Sequence, residues 1–292
     1  KAQTNLDSLY TLWQDETQTD TIRTNAYFDY IWDGFLFSNP DTAFVLAQNL
    51  LGFGDEQQYE KAKAMAYNLM GISKKITSNY PKSLDYYSQS LKIFKEIGDR
   101  KGSSGAIGNI GNIYNAQGDY PKALEYFQRC LKIFKEIGNK KGRANAIMNI
   151  GLIYKKQGNY PKALEYCKKS LFMCQEIGVL LQEKSACQCL YDTYKAMGKG
   201  NQALVYLEKV NVIEDSLDVQ ETTKTLQQME FKKQVLADSL AREKIIFLAQ
   251  QEEEEIIQSK NRKNQIQYSL MFMVVLFLAA LIAAMTRFSY NP

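Results

Sequence analysis

The sequence predicts an all-α fold: a superhelical solenoid of helical hairpins, then a long helix, then one transmembrane helix. Three observations predict it. A block of sequence returns every 40 residues. Glycine and proline punctuate each block at fixed places. The composition is rich in Ala, Leu, Lys, Glu and Gln and holds only 5 prolines, which favours helix throughout.

The repeat comes first because self-similarity at a fixed period decides the architecture. Tyr120-Pro-Lys-Ala-Leu-Glu-Tyr returns unchanged at Tyr160, and Tyr80-Pro-Lys-Ser-Leu-Asp-Tyr precedes it by the same step. Leu91-Lys-Ile-Phe-Lys-Glu-Ile-Gly is repeated identically from Leu131. The period also joins Gly71, Gly111 and Gly151, then Tyr114, Tyr154 and Tyr194, then Ala43, Ser83, Ala123, Ala163 and Ala203. Five units follow, starting near residues 22, 62, 102, 142 and 182, the outer two degenerate as terminal repeats tend to be.

Within a unit, Ile107, Ile110, Ile113 and Tyr114 make an apolar stripe at helical spacing. Gly111 removes a side chain where a neighbouring helix must cross closely. Gln117-Gly118-Asp119-Tyr120-Pro121 ends that helix and opens the next, with glycine at the stop and proline at the start. Leu124, Phe127, Leu131 and Phe134 give the second helix its stripe, Ala123 allows tight packing, and Gly138-Asn139 ends it. One hairpin cannot bury both stripes, so neighbours must stack.

Composition excludes several chemistries. There is no histidine, which removes Ser-His, Cys-His and His-metal arrangements together. The net charge of +4 gives no support to nucleic-acid binding. The five cysteines, Cys130, Cys167, Cys174, Cys187 and Cys189, have no CxxC spacing and read as buried thiols, not as a disulfide framework or a zinc site. There is no glycine-rich phosphate loop and no recognisable pair of catalytic carboxylates, so no enzyme, no cofactor and no metal is expected.

The residues resemble the tetratricopeptide repeat (TPR) family. Its pattern of small residue, aromatic, glycine turn, alanine and aromatic is met by Gly111, Tyr114, Gly118, Ala123 and Phe127. Gly151, Tyr154, Gly158 and Ala163 follow it too, with Cys167 in place of the second aromatic. The 40-residue period is similar to the subclass that includes kinesin light chain, rapsyn and the mitotic-spindle adaptor. The resemblance implies that the first helix of each hairpin lines a concave groove holding a peptide or helix. The positions it marks are Asn68, Ile72 and Lys75; Gly108, Asn112 and Asn115; Met148, Leu152 and Lys155; and Gln188, Asp192 and Lys195, with Asn145 and Asn149 on the same helix face. Asparagines there could hold an extended backbone through paired donor and acceptor groups, or could simply join adjacent repeats or face water. The basic clamp of chaperone-adaptor members is missing, since Gly108, Asn112, Met148 and Leu152 stand where it would be. The pairs Lys74-Lys75, Lys140-Lys141 and Lys155-Lys156 read as solvated faces.

Residues 1–21 read as an N-terminal cap, 22–219 as the solenoid, 220–265 as a long helix, 266–287 as a transmembrane helix and 288–292 as a tail. Residues 220–262 hold no Gly or Pro. Leu226, Met229, Lys233, Leu236 and Leu240 suggest a coiled-coil homodimer with stutters, the alternative being a helix packed on the last repeat. Residues 268–286 carry no charge and predict a membrane span. Lys260, Arg262 and Lys263 before it favour cytoplasmic repeats by the positive-inside rule. Against that, the order of repeats, helix and span resembles the input regions of Bacteroidetes-type membrane signalling proteins, which implies exported repeats and makes Lys1-Ala2 a signal-peptide remnant. The predicted function is therefore a membrane-anchored protein-interaction module, either the sensory and docking input of a signalling protein or a self-sufficient adaptor or scaffold.

Overall fold

The computed structural model describes residues 2–289, with side chains described for 6–223 and, beyond these, for 226, 227, 229, 230, 233, 244, 245, 247–251, 253–276, 278–280 and 282. The chain divides into two compact units, Lys1–Glu221 and Thr222–Pro292.

The first unit is a stack of helices set at a constant step. After α1 (Ala2–Gln14) come α2 (Asp20–Gly34), α3 (Pro40–Glu56), α4 (Glu60–Ile76), α5 (Tyr80–Glu96) and α6 (Arg100–Ala116). α7 (Tyr120–Glu136), α8 (Lys140–Lys156), α9 (Tyr160–Ile177), α10 (Leu180–Ala196) and α11 (Gly200–Ser289) complete the series. From α2 onward every helix begins 20 residues after the one before it.

Local chemistry sets that step. Asn or Asp sits at the N-cap of α3 and of α5 through α9, and its side chain accepts the N–H three residues on, as Asp99 does from Gly102 at 2.8 Å. Such a cap is worth about 1 kcal/mol. Proline stands in the first turn of α3, α5, α7 and α9, where its missing N–H leaves nothing unpaired. At the far end, the residue that breaks each helix has a left-handed backbone at 58, 78, 98, 118, 138, 158, 178 and 198. Six of these are glycine; Gln58 and Ser78 adopt φ of 53° and 59° with a side chain in place.

The stripes read from the sequence form the core. Ile107, Ile110 and Ile113 are buried, as are Ile147, Ile150 and Ile153 one repeat later. Gly111 lies under the second helix of its own hairpin: a Cβ there would stand 3.2 Å from Phe127 Cζ and from the Tyr126 Cβ. Beside it Tyr114 stacks on Tyr126 at 5.4 Å, and Tyr154–Tyr166 and Tyr194–Tyr206 repeat the arrangement at 5.5 and 5.6 Å. The helices of a hairpin are also tied by side-chain hydrogen bonds to backbone. Ser90 Oγ donates to the Ala64 carbonyl, Cys130 Sγ to that of Ser104 and Ser170 Oγ to that of Ala144, at 2.8, 3.3 and 3.0 Å.

The cysteines depart from the buried-thiol expectation in one pair. Cys130, Cys174 and Cys187 are buried thiols, but Cys167 on α9 and Cys189 on α10 form a disulfide with their Cα atoms 6.2 Å apart. Both positions face the seam between antiparallel neighbours, so two cysteines separated by 22 residues meet.

The start of α11 closes the last hairpin, with Val210 and Ile213 buried against Cys187 and Leu190. In the second unit the chain continues as one helix. Leu226 and Met229 are exposed, and the side chains of Leu236 and Leu240, like those from Phe231 and Lys232, lie outside the described residues.

The expected membrane span at 266–287 is overturned: among the described residues no helix is long and apolar enough to cross a membrane. The expectation came from a run of uncharged residues. Within that run the side chains at 277, 281 and from 283 onward lie outside the described residues. The single-pass localisation is corrected accordingly, together with its lean towards exported repeats.

Candidate groove along the first helices

The first helices of the hairpins, α2, α4, α6, α8 and α10, line one face of the stack. α2 touches α4, α4 touches α6 and α8 touches α10, whereas contacts among α3, α5, α7 and α9 are absent or marginal.

Cross-repeat hydrogen bonds run along this face. Asn109 Nδ2 donates to Asn68 Oδ1 at 2.9 Å, joining α6 to α4. Lys156 Nζ donates to Asn115 Oδ1 at 3.1 Å, joining α8 to α6. Lys155 Nζ pairs with Asp192 Oδ2 at 2.8 Å, and Gln188 Nε2 donates to the other carboxylate oxygen at 2.8 Å. Asn68, Asn115, Lys155, Gln188 and Asp192 therefore hold the repeats in register as much as they offer groups to a ligand.

The remaining marked positions divide differently. Ile72 is buried, so it supports the wall and is not displayed. Asn112, Asn145 and Asn149 are half-buried with no hydrogen bond to another described residue, and Met148 and Leu152 lie beside them, half-buried on α8. Asn149 occupies the position from which Asn109 reaches back to Asn68, but its counterpart on α6 is Gly108, which has no side chain to receive it. Amide groups of this kind can still take hydrogen bonds from an incoming backbone. Lys75 is half-buried with no acidic partner among the described residues, and burial holds its ammonium below the ordinary lysine value.

The structure adds a cavity that sequence reading missed. Between α2, α4 and α6 lies a space of about 320 Å³, walled by Phe28, Met65 and Phe94. Asn25 and Asn68 supply amides to it, and Lys61 and Lys101 stand at its edge with Asp99, which caps α6. The opening exists because of Gly105: a Cβ built there meets nothing within 4 Å. At the α2 end, Phe28 stacks on Trp32 at 5.7 Å and Trp32 meets Phe37 edge-on at 5.8 Å, with Trp32 and Phe37 exposed. Among the described residues no group of three or more His, Cys, Asp or Glu could hold a metal ion.

Comparison with known proteins agrees with this geometry. Residues 62–136 and 103–176 match the family model for the tetratricopeptide repeat. No curated protein matches the chain. Among solved structures, BtubC from P. vanneervenii is similar at TM-score 0.60 and 17% identity, over 74% of this chain and 92% of that one. A signal transduction ATPase (STAND) protein with a tetratricopeptide repeat sensor, from Pyrococcus horikoshii, aligns at 0.56 and 20% over 70% of this chain, which spans 32% of that protein. A Rap protein complexed with competence and sporulation factor aligns at 0.51 and 15%, over 70% of this chain and 67% of that one. At these identities the likeness is one of fold: an all-helical TPR-like solenoid.

Proposed function

We propose that the chain is a protein-interaction module whose first-helix groove holds an extended polypeptide segment. The observation that carries this reading is the set of half-buried asparagine amides with no hydrogen bond to another described residue, Asn112 on α6 and Asn145 and Asn149 on α8, on the helices that continue from the Gly105 cavity. An extended segment has unpaired backbone groups at regular intervals and side chains on alternating sides. The amides fit the first and the cavity one of the second. Asn68, Ile72, Lys75, Met148, Leu152, Lys155, Gln188 and Asp192 form the wall and floor.

A second reading is favoured by the exposed pair Leu226 and Met229, three residues apart on one helix face. Under it, residues 220–262 form a homodimer and groove occupancy is reported to a signalling partner, in the manner suggested by the repeat sensor of the STAND protein. Without a dimer the chain is an adaptor or scaffold.

The test is selection of random-sequence peptides on the full chain, followed by hydrogen exchange of the complex. Protection of α4, α6 and α8 on peptide binding is the expected result. Peptides that bind without protecting these helices sink the reading.

A further inference from the structure

The outer face carries a site of different chemistry. Because α5 and α7 splay apart, a cleft of about 400 Å³ opens between them, on the opposite side of the stack from the groove. Its floor is apolar, made by Leu91, Ile110 of the helix beneath, and the ring of Tyr126. Its edge is cationic: Lys92 and Lys95 on α5 and Arg129 on α7 face a single acid, Glu96. Neither lysine has an acidic partner among the described residues, and Arg129 is only at the outer limit of an ion pair with Glu125, at 3.9 Å. Its guanidinium instead lies 5.0 Å over the Tyr126 ring, which fixes it at the mouth of the cleft. One period on, the same residue types return as Lys132, Lys135 and Lys169, while the acid equivalent to Glu96, Glu136, is neutralised by Arg100. The cations therefore form a stripe along the outer face with an apolar cleft set into it.

Isolated surface lysines are ordinarily solvated and attract little, at about 0–1 kcal/mol for a pair. Grouped around an apolar floor they do more, since a partner that fills the cleft brings its own charges to them and displaces water from both. We propose that this face binds an acidic segment of another protein, with one large apolar side chain seated on Leu91, Ile110 and Tyr126 and its carboxylates against Lys92, Lys95 and Arg129. The site is independent of the groove, so the module would hold two partners at once, one on each face.

The experiment uses the full chain against an array of random-sequence peptides sorted by net charge and by the presence of Leu, Phe or Trp. The triple variant Lys92→Glu, Lys95→Glu, Arg129→Glu is compared with Gly105→Met, which occludes the groove cavity. The expected result is a population of acidic peptides with a large apolar residue. Their binding falls at least about tenfold in the triple variant and is unchanged in Gly105→Met. All three replaced side chains lie at the helix surface, and an unchanged thermal melt shows that the fold is kept. Acidic peptides bound equally well by the triple variant, lost instead in Gly105→Met, or absent from the wild-type population would each overturn the proposal.

Discussion

Gly105 offers a perturbation that separates stability from binding. It sits inside α6, where glycine is disfavoured by about 1 kcal/mol relative to alanine because of its backbone freedom. A Cβ at this position meets nothing within 4 Å, so no packing penalty opposes the gain. Gly105→Ala should therefore stabilise the protein by about 0.5–1 kcal/mol, a rise of roughly 1–4 °C in melting temperature for a unit of this size. Gly105→Met keeps the same backbone gain but projects its side chain into the 320 Å³ cavity. It should melt no lower than the wild type and yet lose groove-bound peptides. Gly102→Ala, on the same helix, is the control: its Cβ would lie 2.4 Å from the Phe94 ring, and displacing that buried ring costs about 1–3 kcal/mol. Circular dichroism melts and fluorescence anisotropy with a selected peptide measure both quantities. The reasoning is refuted if Gly105→Ala destabilises the protein, or if Gly105→Met leaves peptide affinity intact.

Three further outcomes are expected. Ser78 holds φ of 59° where most equivalent positions have glycine, so Ser78→Gly should raise stability by about 0.5–1 kcal/mol in urea unfolding. The Cys167–Cys189 bond closes a loop with a separation of 22 residues, and a reducing agent should lower stability by about 3 kcal/mol on chain-entropy grounds, read as a shift in urea midpoint. Burial pushes the Cys130 thiol up to about 12 and that of Cys187 up to about 11, from an ordinary 9.0. The unfolded chain then releases these protons first as pH rises. Stability from these groups is complete below pH 9 and lost as pH climbs through 11 to 12, and Cys130→Ser should flatten the decline between urea midpoints at pH 8.5 and 10.5.

The hairpins were legible because each repeat contains its own instructions. Pro121 and Pro161 open helices, Gly118 and Gly158 end them, and Gly111 and Gly151 mark where helices cross closely. The groove positions were marked by the family resemblance, and how each side chain there is used depends on a neighbour about 40 positions away, which no single repeat reveals. Asn109 turns to Asn68 and cannot serve a ligand freely, whereas Asn149 meets Gly108 and can. The cavity beside Gly105 was harder still to see. It is made by a missing side chain at Gly105 and by Phe28 from α2, where the repeat is too degenerate to align by motif. The disulfide escaped because spacing rules look for paired cysteines along one chain segment. Cys167 and Cys189 stand at unremarkable repeat positions that antiparallel packing brings together. The membrane span was read from an absence of charge, which is a statement about composition, whereas among the described residues no helix is long and apolar enough to cross a membrane.

The constant 20-residue step has a consequence for how this chain can change in length. Asp99 and Asn139 cap successive first helices in the same way, each accepting an N–H at 2.8 Å. Removing residues 100–139 would join Asp99 to Lys140 and hand the next first helix a working cap, with the apolar stripe beyond it still in phase. Removing two residues fewer would turn that stripe by about 200° and bury the wrong face. Viable lengths are thus spaced one hairpin apart, and any gain or loss short of a whole unit has to fall in a connection between helices.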